Sequence, residues 1–228
     1  MQITLASIFF VICALPAAVH AQASFTNTPD YKRCTALAAN APEKGIDFAN
    51  AQLVEKGKHI GALHCRAMAQ FTLGNFHDSA KDLAGVYAMV ENDQLSLRSY
   101  ITRQAARALS KAGDTDRALA SLQRELLALQ EAKYKNKTVK ERLSADLLLD
   151  RAQLFAGDGK HTLAIQELDH AVSLVPNNEA ILLSRAQMFA KVGANAQATR
   201  DLEAILKTNP RHAKARSLLK GMHDENIE

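Results

Sequence analysis

Two stretches of this chain repeat one another without a gap at a spacing of 34 residues. The stretch DRAQLFAGDGKHTLAIQELDHAVSLVP aligns with SRAQMFAKVGANAQATRDLEAILKTNP. The coincident positions are Ala152 and Ala186, Phe155 and Phe189, Gly159 and Gly193, Ala164 and Ala198, Leu168 and Leu202, and Pro176 and Pro210. A period of this length is typical of repeat folds, in which each unit buries its apolar face only against its neighbours.

The residue types within the repeat predict pairs of helices joined by tight turns. Gly159 tolerates the positive φ that ends a helix in a turn, and Pro176 cannot continue a helix. Ala164 is small enough for two helices to approach closely, and Leu168 fills the space beside it. The excess of Ala and Leu and the absence of Trp also favour helix over sheet. The sequence therefore predicts an all-α fold.

The spacing and residue types resemble those of the tetratricopeptide-repeat family. The resemblance implies an α-solenoid of stacked antiparallel helix pairs, whose first helices line a concave face that binds a peptide or helix of another protein. Two clear units fall in 145–212 and two divergent units in 60–128. We expect N-terminal helices forming a degenerate repeat in 22–59, and a capping helix and tail in 213–228.

A basic insertion interrupts the repeat at residues 129–144. Gly113 precedes Gly159 by 46 residues, which is 12 more than the period, and the added segment holds a cluster of cations: Lys133, Lys135, Lys137, Lys140 and Arg142. We expect the insertion to lengthen the second helix of its unit and then to form a loop. A solubilising loop and a basic projection that touches anionic lipid or cell-wall polymer both fit this composition.

The first 21 residues have the outline of a secretory signal peptide. They contain no Lys, Arg, Asp or Glu, and their apolar run is followed by a small-residue site that ends at Ala21. The alternative is an uncleaved anchor, although the run is shorter than the roughly 20 residues that a spanning helix prefers. A secretory signal without a eukaryotic sorting signal predicts that the protein is exported to the bacterial periplasm.

Cleavage after Ala21 would leave two cysteines, Cys34 and Cys65. An oxidising compartment favours one disulfide between them, and two buried free thiols are the alternative. A different function class also stays open at this point, namely a thiol-active or metal-handling protein that uses both cysteines and His64.

Candidate partner-binding residues come from the surface-directed positions of the predicted first helices. They are Tyr100, Arg103, Gln104, Arg107, Lys111, Asp146, Leu149, Asp150, Gln153, Leu183 and Gln187. Arg103, Arg107 and Lys111 recur every four residues and therefore form one basic stripe on a helix. Such a stripe would attract a carboxylate or an acidic peptide, and a merely solvated helix face is the alternative.

The sequence carries no motif for catalysis. It has no Gly-rich phosphate loop, nucleophile elbow or paired-histidine zinc motif, and the carboxylates of Asp146 and Asp150 are interpreted as an exposed pair. The net charge of +4 is spread along the chain, which argues against a nucleic-acid partner.

We therefore predict a non-enzymatic adaptor or scaffold with a protein or peptide partner, no cofactor, no metal and no nucleic acid. Membrane contact is expected only through an uncleaved signal or the basic insertion. Envelope assembly, secretion and cytochrome maturation are the settings that the family resemblance implies.

Overall fold

The computed structural model of this chain describes residues 25–133 and 136–224. Within those residues the chain forms eleven α-helices and no strand, so the predicted all-α class is confirmed. The predicted signal peptide, residues 1–21, lies outside the described residues. None of the described helices combines the length and apolar character that a bilayer span requires.

A short 3-10 helix at Phe25–Asn27 precedes the first α-helix. The helices are α1 Pro29–Asn40, α2 Pro42–Lys56, α3 Ile60–Thr72, α4 Phe76–Tyr87, α5 Leu95–Lys111, α6 Thr115–Glu131, α7 Lys137–Gly157, α8 His161–Leu174, α9 Glu179–Lys191, α10 Asn195–Thr208 and α11 Ala213–Asp224.

The helices stack as successive antiparallel pairs, in agreement with the predicted solenoid. Each helix contacts the next in the chain, and the first helices of neighbouring pairs also touch, as α5 does with α7 and α7 with α9. Gly159 and Gly193 turn the chain inside their pairs with φ of 72° and 75°, the left-handed conformation that their positions predict. Pro176 and Pro210 follow the ends of α8 and α10.

The core lies between the helices and repeats with them. Ala152, Ala164 and Leu168 are each at most 2% exposed, and the equivalent Ala186, Ala198 and Leu202 are 0% exposed. Small residues therefore occupy the helix contacts and leucines fill the gaps beside them. At the end of the stack, α11 buries Ala215 against α9 and α10, as expected of a capping helix.

The first pair is held together by an unusually close contact. A Cβ atom at Gly45 of α2 would lie 2.9 Å from the backbone nitrogen of Ala38 in α1, so only glycine allows these two helices to pack at this distance.

The basic insertion is mostly helical, and the prediction that it forms a loop after α6 is wrong for residues 137–144. α6 does extend to Glu131, but residues 137–144 of the insertion form the first two turns of α7. The Asn136 side chain caps α7 by accepting from the Val139 N–H at 3.1 Å, and no Gly or Pro interrupts the segment. The Lys140 ammonium donates to the Gln130 carbonyl at 2.7 Å and thereby links the first turn of α7 to the last turn of α6.

Candidate functional site

The face lined by the first helices contains two adjoining cavities, which together we call the inner groove. An apolar cavity of about 210 Å³ lies between α1, α3 and α5, and a polar cavity of about 130 Å³ lies between α5 and α7. Arg107 of α5 lines both cavities and therefore stands at the junction between them.

The apolar cavity takes its walls from side chains that the divergent units supply. Ala39 of α1, Met68 and Phe71 of α3 and Leu83 of α4 line it, and Gln104 of α5 closes one side. Met68 and Phe71 remain partly exposed, although both are apolar. A cavity of this size and lining fits one apolar side chain of a bound segment.

The polar cavity is built around an ion-pair cluster between α5 and α7. The Arg103 guanidinium donates from Nε to Asp150 Oδ2 at 2.5 Å and from Nη1 to Asp146 Oδ2 at 3.2 Å. The structure thus brings together three residues that the sequence placed on the concave face, but it pairs them with one another. Arg103 is consequently not a free cation for a partner.

The two aspartates of this cluster are not the exposed pair that the sequence predicts. The side chain of Asp150 is only 14% exposed. Burial raises the pKa of the Asp146 carboxyl, the Arg103 guanidinium opposes this rise, and the neighbouring Asp150 carboxylate adds to it. The cluster therefore serves to join α5 to α7.

Arg107 and Lys111 are the part of the basic stripe that remains available. Both side chains are exposed, both line the polar cavity, and within residues 25–133 and 136–224 neither forms an ion pair. Two unpaired cations one helical turn apart, beside an apolar cavity, provide the charge and the shape to hold a carboxylate next to an apolar side chain.

A buried histidine fixes the floor of the inner groove where α1, α3 and α5 meet. His64 of α3 is 0% exposed. Its Nδ1 accepts a hydrogen bond from the Tyr31 hydroxyl at 2.7 Å, and its Nε2 donates to Gln104 Oε1 at 2.6 Å. Burial lowers the pKa of His64 and the hydrogen bond to Gln104 opposes this shift, so it is burial that favours the neutral imidazole.

Cys34 and Cys65 form a disulfide that links α1 to α3 beside this histidine. The Cα atoms are 6.0 Å apart, and the two residues are 1% and 0% exposed. A buried disulfide offers no thiolate for chemistry at the surface. No group of three His, Cys, Asp or Glu side chains placed to hold a metal ion occurs in the part of the chain that the structure describes.

The remaining candidate residues divide between surface and core. Tyr100 is 48% exposed with its ring 6.0 Å from that of His64, and Gln153 and Gln187 are exposed. The surface placement of Leu149 is wrong, because this residue is 8% exposed and packs in the core. α7 is covered by α6 on one side and α8 on the other, so its buried face is wide. Leu183 is partly buried against the core of α9–α11.

A recurring ion pair on the other side of the first helices was missed by the sequence analysis. Arg185 of α9 donates to Asp201 of α10 at 2.7 and 2.8 Å and to Asp169 of α8 at 2.9 Å. Arg66 of α3 makes the same bonds to Asp82 of α4, 16 residues later, and to Asn50 of α2, 16 residues earlier. We call this arrangement the arginine bridge.

The arginine bridge could have been predicted from a spacing in the sequence. An Arg precedes the repeated Ala at 151 and 185, and an acidic residue follows 16 positions later at Glu167 and Asp201. Arg151 and Glu167 are indeed paired at 3.2 Å. Each bridge joins the two helices of one pair and therefore stabilises the unit from its outer side.

A second buried network lies between α4, α5 and α6. The carboxylate of Glu125, which is 1% exposed, accepts from the Tyr87 hydroxyl at 2.7 Å and pairs with the Arg98 guanidinium at 3.8 Å. Arg98 also donates to the Tyr87 hydroxyl. Burial, followed by the hydrogen bond to Glu125, raises the pKa of Tyr87.

Solved structures with the same arrangement of helix pairs are tetratricopeptide-repeat proteins. YrrB, described as a TPR protein with an unusual peptide-binding site, matches with a TM-score of 0.55 and 14% identity over 87% of this chain and 94% of its own. The chain has the tetratricopeptide-repeat fold.

Two further structures show the same tetratricopeptide-repeat architecture. MamA matches with a TM-score of 0.57 and 15% identity over 77% of this chain and 93% of its own. TTC0263, a thermophilic TPR protein of Thermus thermophilus, matches with a TM-score of 0.52 and 19% identity over 84% of this chain and 98% of its own. No protein-family model matches the sequence, and no curated protein sequence matches it.

Proposed function

We propose that this chain is a periplasmic adaptor that holds a segment of a partner protein in its inner groove. The observation that carries the proposal is the position of Arg107, an exposed cation that is shared by an apolar and a polar cavity and forms no ion pair with any described residue. A segment with an apolar side chain next to a carboxylate would fill the first cavity and pair with Arg107 and Lys111 in the second.

The rigidity of the groove supports binding by shape. The Tyr31–His64–Gln104 hydrogen bonds and the Cys34–Cys65 disulfide fix three first helices relative to one another. A preformed groove loses little conformational entropy when it binds, so its contacts count more fully toward affinity. The neighbour YrrB is described as having a peptide-binding site, which is consistent with this use of the fold.

The thiol-active alternative gains no support from the described residues. Its two cysteines form a buried disulfide, and His64 uses both ring nitrogens in hydrogen bonds. We therefore keep the adaptor as the proposed function, in envelope assembly, secretion or cytochrome maturation.

Peptide display on the purified protein tests the proposal directly. We expect the selected peptides to share a carboxylate beside an apolar residue. Fluorescence anisotropy measures their affinity. Loss of charge-assisted contacts in an Arg107→Glu/Lys111→Glu variant should weaken binding by about tenfold or more. Lys214→Glu/Lys220→Glu on α11 is the matched control, because both lysines are exposed and the change in net charge is the same. Equal affinity in both variants would overturn the proposed groove.

Export is tested separately from binding. The full-length chain is expressed in a Gram-negative host, and the mass of the protein in the periplasmic fraction is measured. Export predicts a mass that corresponds to cleavage after Ala21, with no free thiol before reduction. A chain that retains Met1 and stays in the cytoplasmic fraction would contradict the periplasmic location without touching the binding proposal.

A further inference from the structure

The unit formed by α5 and α6 lacks the arginine bridge. Gly113 of this unit corresponds to Gly193 of the last unit, 80 residues later, so Ala105 stands where Arg185 would be and Ser121 where Asp201 would be. Neither residue can form the ion pair. The ion pair found in the α3–α4, α7–α8 and α9–α10 units is therefore missing here.

A cavity opens where the bridge is missing. In the last unit, Arg185, Phe189, Arg200 and Asp201 line a pocket of about 350 Å³. The corresponding pocket over Ala105 and Ser121 measures about 880 Å³ and reaches across to α4. We call it the outer groove; its floor is formed by Leu83, Tyr87, Thr102, Ala105, Leu109 and Ser121. The absence of the arginine and the aspartate contributes to this space, and the rest of it lies along α4 and α6.

The outer groove lies on the opposite side of α5 from the inner groove. Ala105 is two residues from both Arg103 and Arg107, and at 100° per residue it lies roughly opposite them on the helix. A ligand in the outer groove would therefore not compete for the unpaired cations of the inner groove.

The charged rim of the outer groove is mostly basic. Lys81 of α4 and Arg124 of α6 both line it, both are exposed, and neither has an ion-pair partner among the described residues. Arg117 adds a third cation, paired with Asp114 at 3.0 Å, and Asp78 is the acidic residue of the rim. The guanidinium of Arg124 lies 5.8 Å from the Tyr87 ring.

We infer that the outer groove is a second binding surface, which takes an acidic segment of a partner protein carrying apolar side chains between its carboxylates. The carboxylates would pair with Lys81 and Arg124, and an apolar side chain would pack on Leu83, Tyr87 and Leu109 in the space that the arginine bridge fills elsewhere. Charge complementarity selects an acidic occupant, since the rim carries three cations, Lys81, Arg117 and Arg124, against the single carboxylate of Asp78.

A short capped peptide of alternating glutamate and leucine is the probe for this surface. Carbodiimide coupling joins a glutamate carboxylate to a lysine amine with loss of water, so mass spectrometry of the coupled complex identifies the lysine that contacts the peptide. We expect coupling at Lys81, whereas coupling at Lys111 alone would place the peptide in the inner groove and overturn the inference. A lysine–leucine peptide should not bind.

Introducing the bridge into this unit supplies a variant in which the groove is filled. Ala105→Arg/Ser121→Asp introduces the pair found in the last unit, so the groove fills from within, and binding of the glutamate–leucine peptide should fall by about tenfold or more. Unchanged affinity in this variant, with its circular dichroism intact, would overturn the inference.

A second variant keeps the test decisive if the filled groove prevents folding. Lys81→Glu/Arg124→Glu changes only exposed side chains and should abolish coupling and weaken binding to the same extent. Lys214→Glu/Lys220→Glu controls for the change in net charge. Equal losses of peptide affinity in the two double variants would show a nonspecific attraction and overturn the inference. The affinities are compared in an Arg107→Glu/Lys111→Glu background, because the proposed inner groove also takes a carboxylate beside an apolar side chain. Retention of the peptide in that background separates the outer groove from the proposed function, and its complete loss there would overturn the inference.

Discussion

Tyr31 and His64, 33 residues apart in the sequence, share a 2.7 Å hydrogen bond that joins α1 to α3. A second hydrogen bond lies on the far side of the ring, where Gln104 Oε1 accepts from Nε2. One imidazole therefore connects three helices of the inner groove. The neutral form satisfies both nitrogens, with Tyr31 donating to Nδ1. A second proton on Nδ1 would make Tyr31 the acceptor and would place a positive charge at a buried site.

Stability should depend on the protonation of His64. Burial lowers its pKa in the folded protein, whereas an unfolded histidine titrates near 6.5. The unfolded chain therefore binds more protons as the pH falls below about 6.5, and stability that is fully present above this pH is progressively lost. Urea unfolding between pH 8 and pH 5 measures the effect.

The control for this pH dependence is His64→Gln, which removes the titrating group. We expect this variant to be less stable at neutral pH but to show a flatter profile through pH 6.5. An unaltered slope in the variant would assign the dependence to other groups.

Removing the Tyr31 hydroxyl should destabilise the amino-terminal helices. Tyr31→Phe leaves Nδ1 of the buried His64 without its donor, which costs about 1–3 kcal/mol of unfolding free energy. Chemical denaturation checks the value. Tyr100→Phe serves as the comparison, because Tyr100 lies near the same histidine but is 48% exposed, and it should change stability by less than about 0.5 kcal/mol.

Reduction of Cys34–Cys65 should lower stability by about 3–4 kcal/mol. The two cysteines are 31 residues apart, and opening a loop of this length returns that much conformational entropy to the unfolded chain. Thermal unfolding with and without a reductant measures the loss. The double variant Cys34→Ser/Cys65→Ser should melt at the lower temperature in both conditions, and a reductant effect that persists in it would contradict the assignment.

Replacing Arg103 and replacing Arg107 should affect the stability of the protein differently, although the two residues are one turn apart on α5. Arg103→Ala leaves Asp150, which is 14% exposed, without its charged donor, and we expect a loss of about 1.5–3 kcal/mol. Arg107→Ala should cost less than about 0.5 kcal/mol, because Arg107 is exposed and unpaired in the part of the chain that is described. Equal effects in urea unfolding would show that the pairing in the inner groove is wrong.

Arg185 and Asp201, which form the arginine bridge of the last repeat, should contribute to stability as a coupled pair. Arg185→Ala leaves the Asp201 carboxylate, whose side chain is 8% exposed, without its partner at a cost of about 2–3 kcal/mol. Replacing both residues with alanine should cost less than the sum of the two single changes, since neither charge is then left alone. A double-mutant cycle in urea provides the test, and strict additivity would show that the pair does not contribute.

The fold was accessible from the sequence because its strongest signal is local and repeated. Ala152, Gly159 and Leu168 recur 34 residues later, and each sets one feature of a helix pair: a close contact, a turn or a filled gap. The insertion was misjudged for the opposite reason. Its lysines resemble a solvated loop by composition, but helix formation depends on the Asn136 cap and the absence of breakers.

The candidate site was only partly accessible. Helical periodicity placed Arg103, Asp146 and Asp150 on one face, but it did not show that they neutralise one another across two helices. Leu149 fell on the same face by spacing, yet packing from both sides of α7 buries it. The hydrogen-bond partners of His64 are 33 and 40 residues away in the sequence. The repeat is too irregular in this part of the chain for its register to predict them.

The two ends of the helix stack are closed by different means, since a covalent bond ties α1 to α3 at one end and α11 packs on α9 and α10 without a disulfide at the other, among the described residues. Arrays of this kind unfold most readily from their terminal units. In an oxidising environment, fraying is therefore directed to the carboxyl-terminal end, and the groove near His64 keeps its shape while the far end opens. A reducing environment removes that bias and lets the array open from either end.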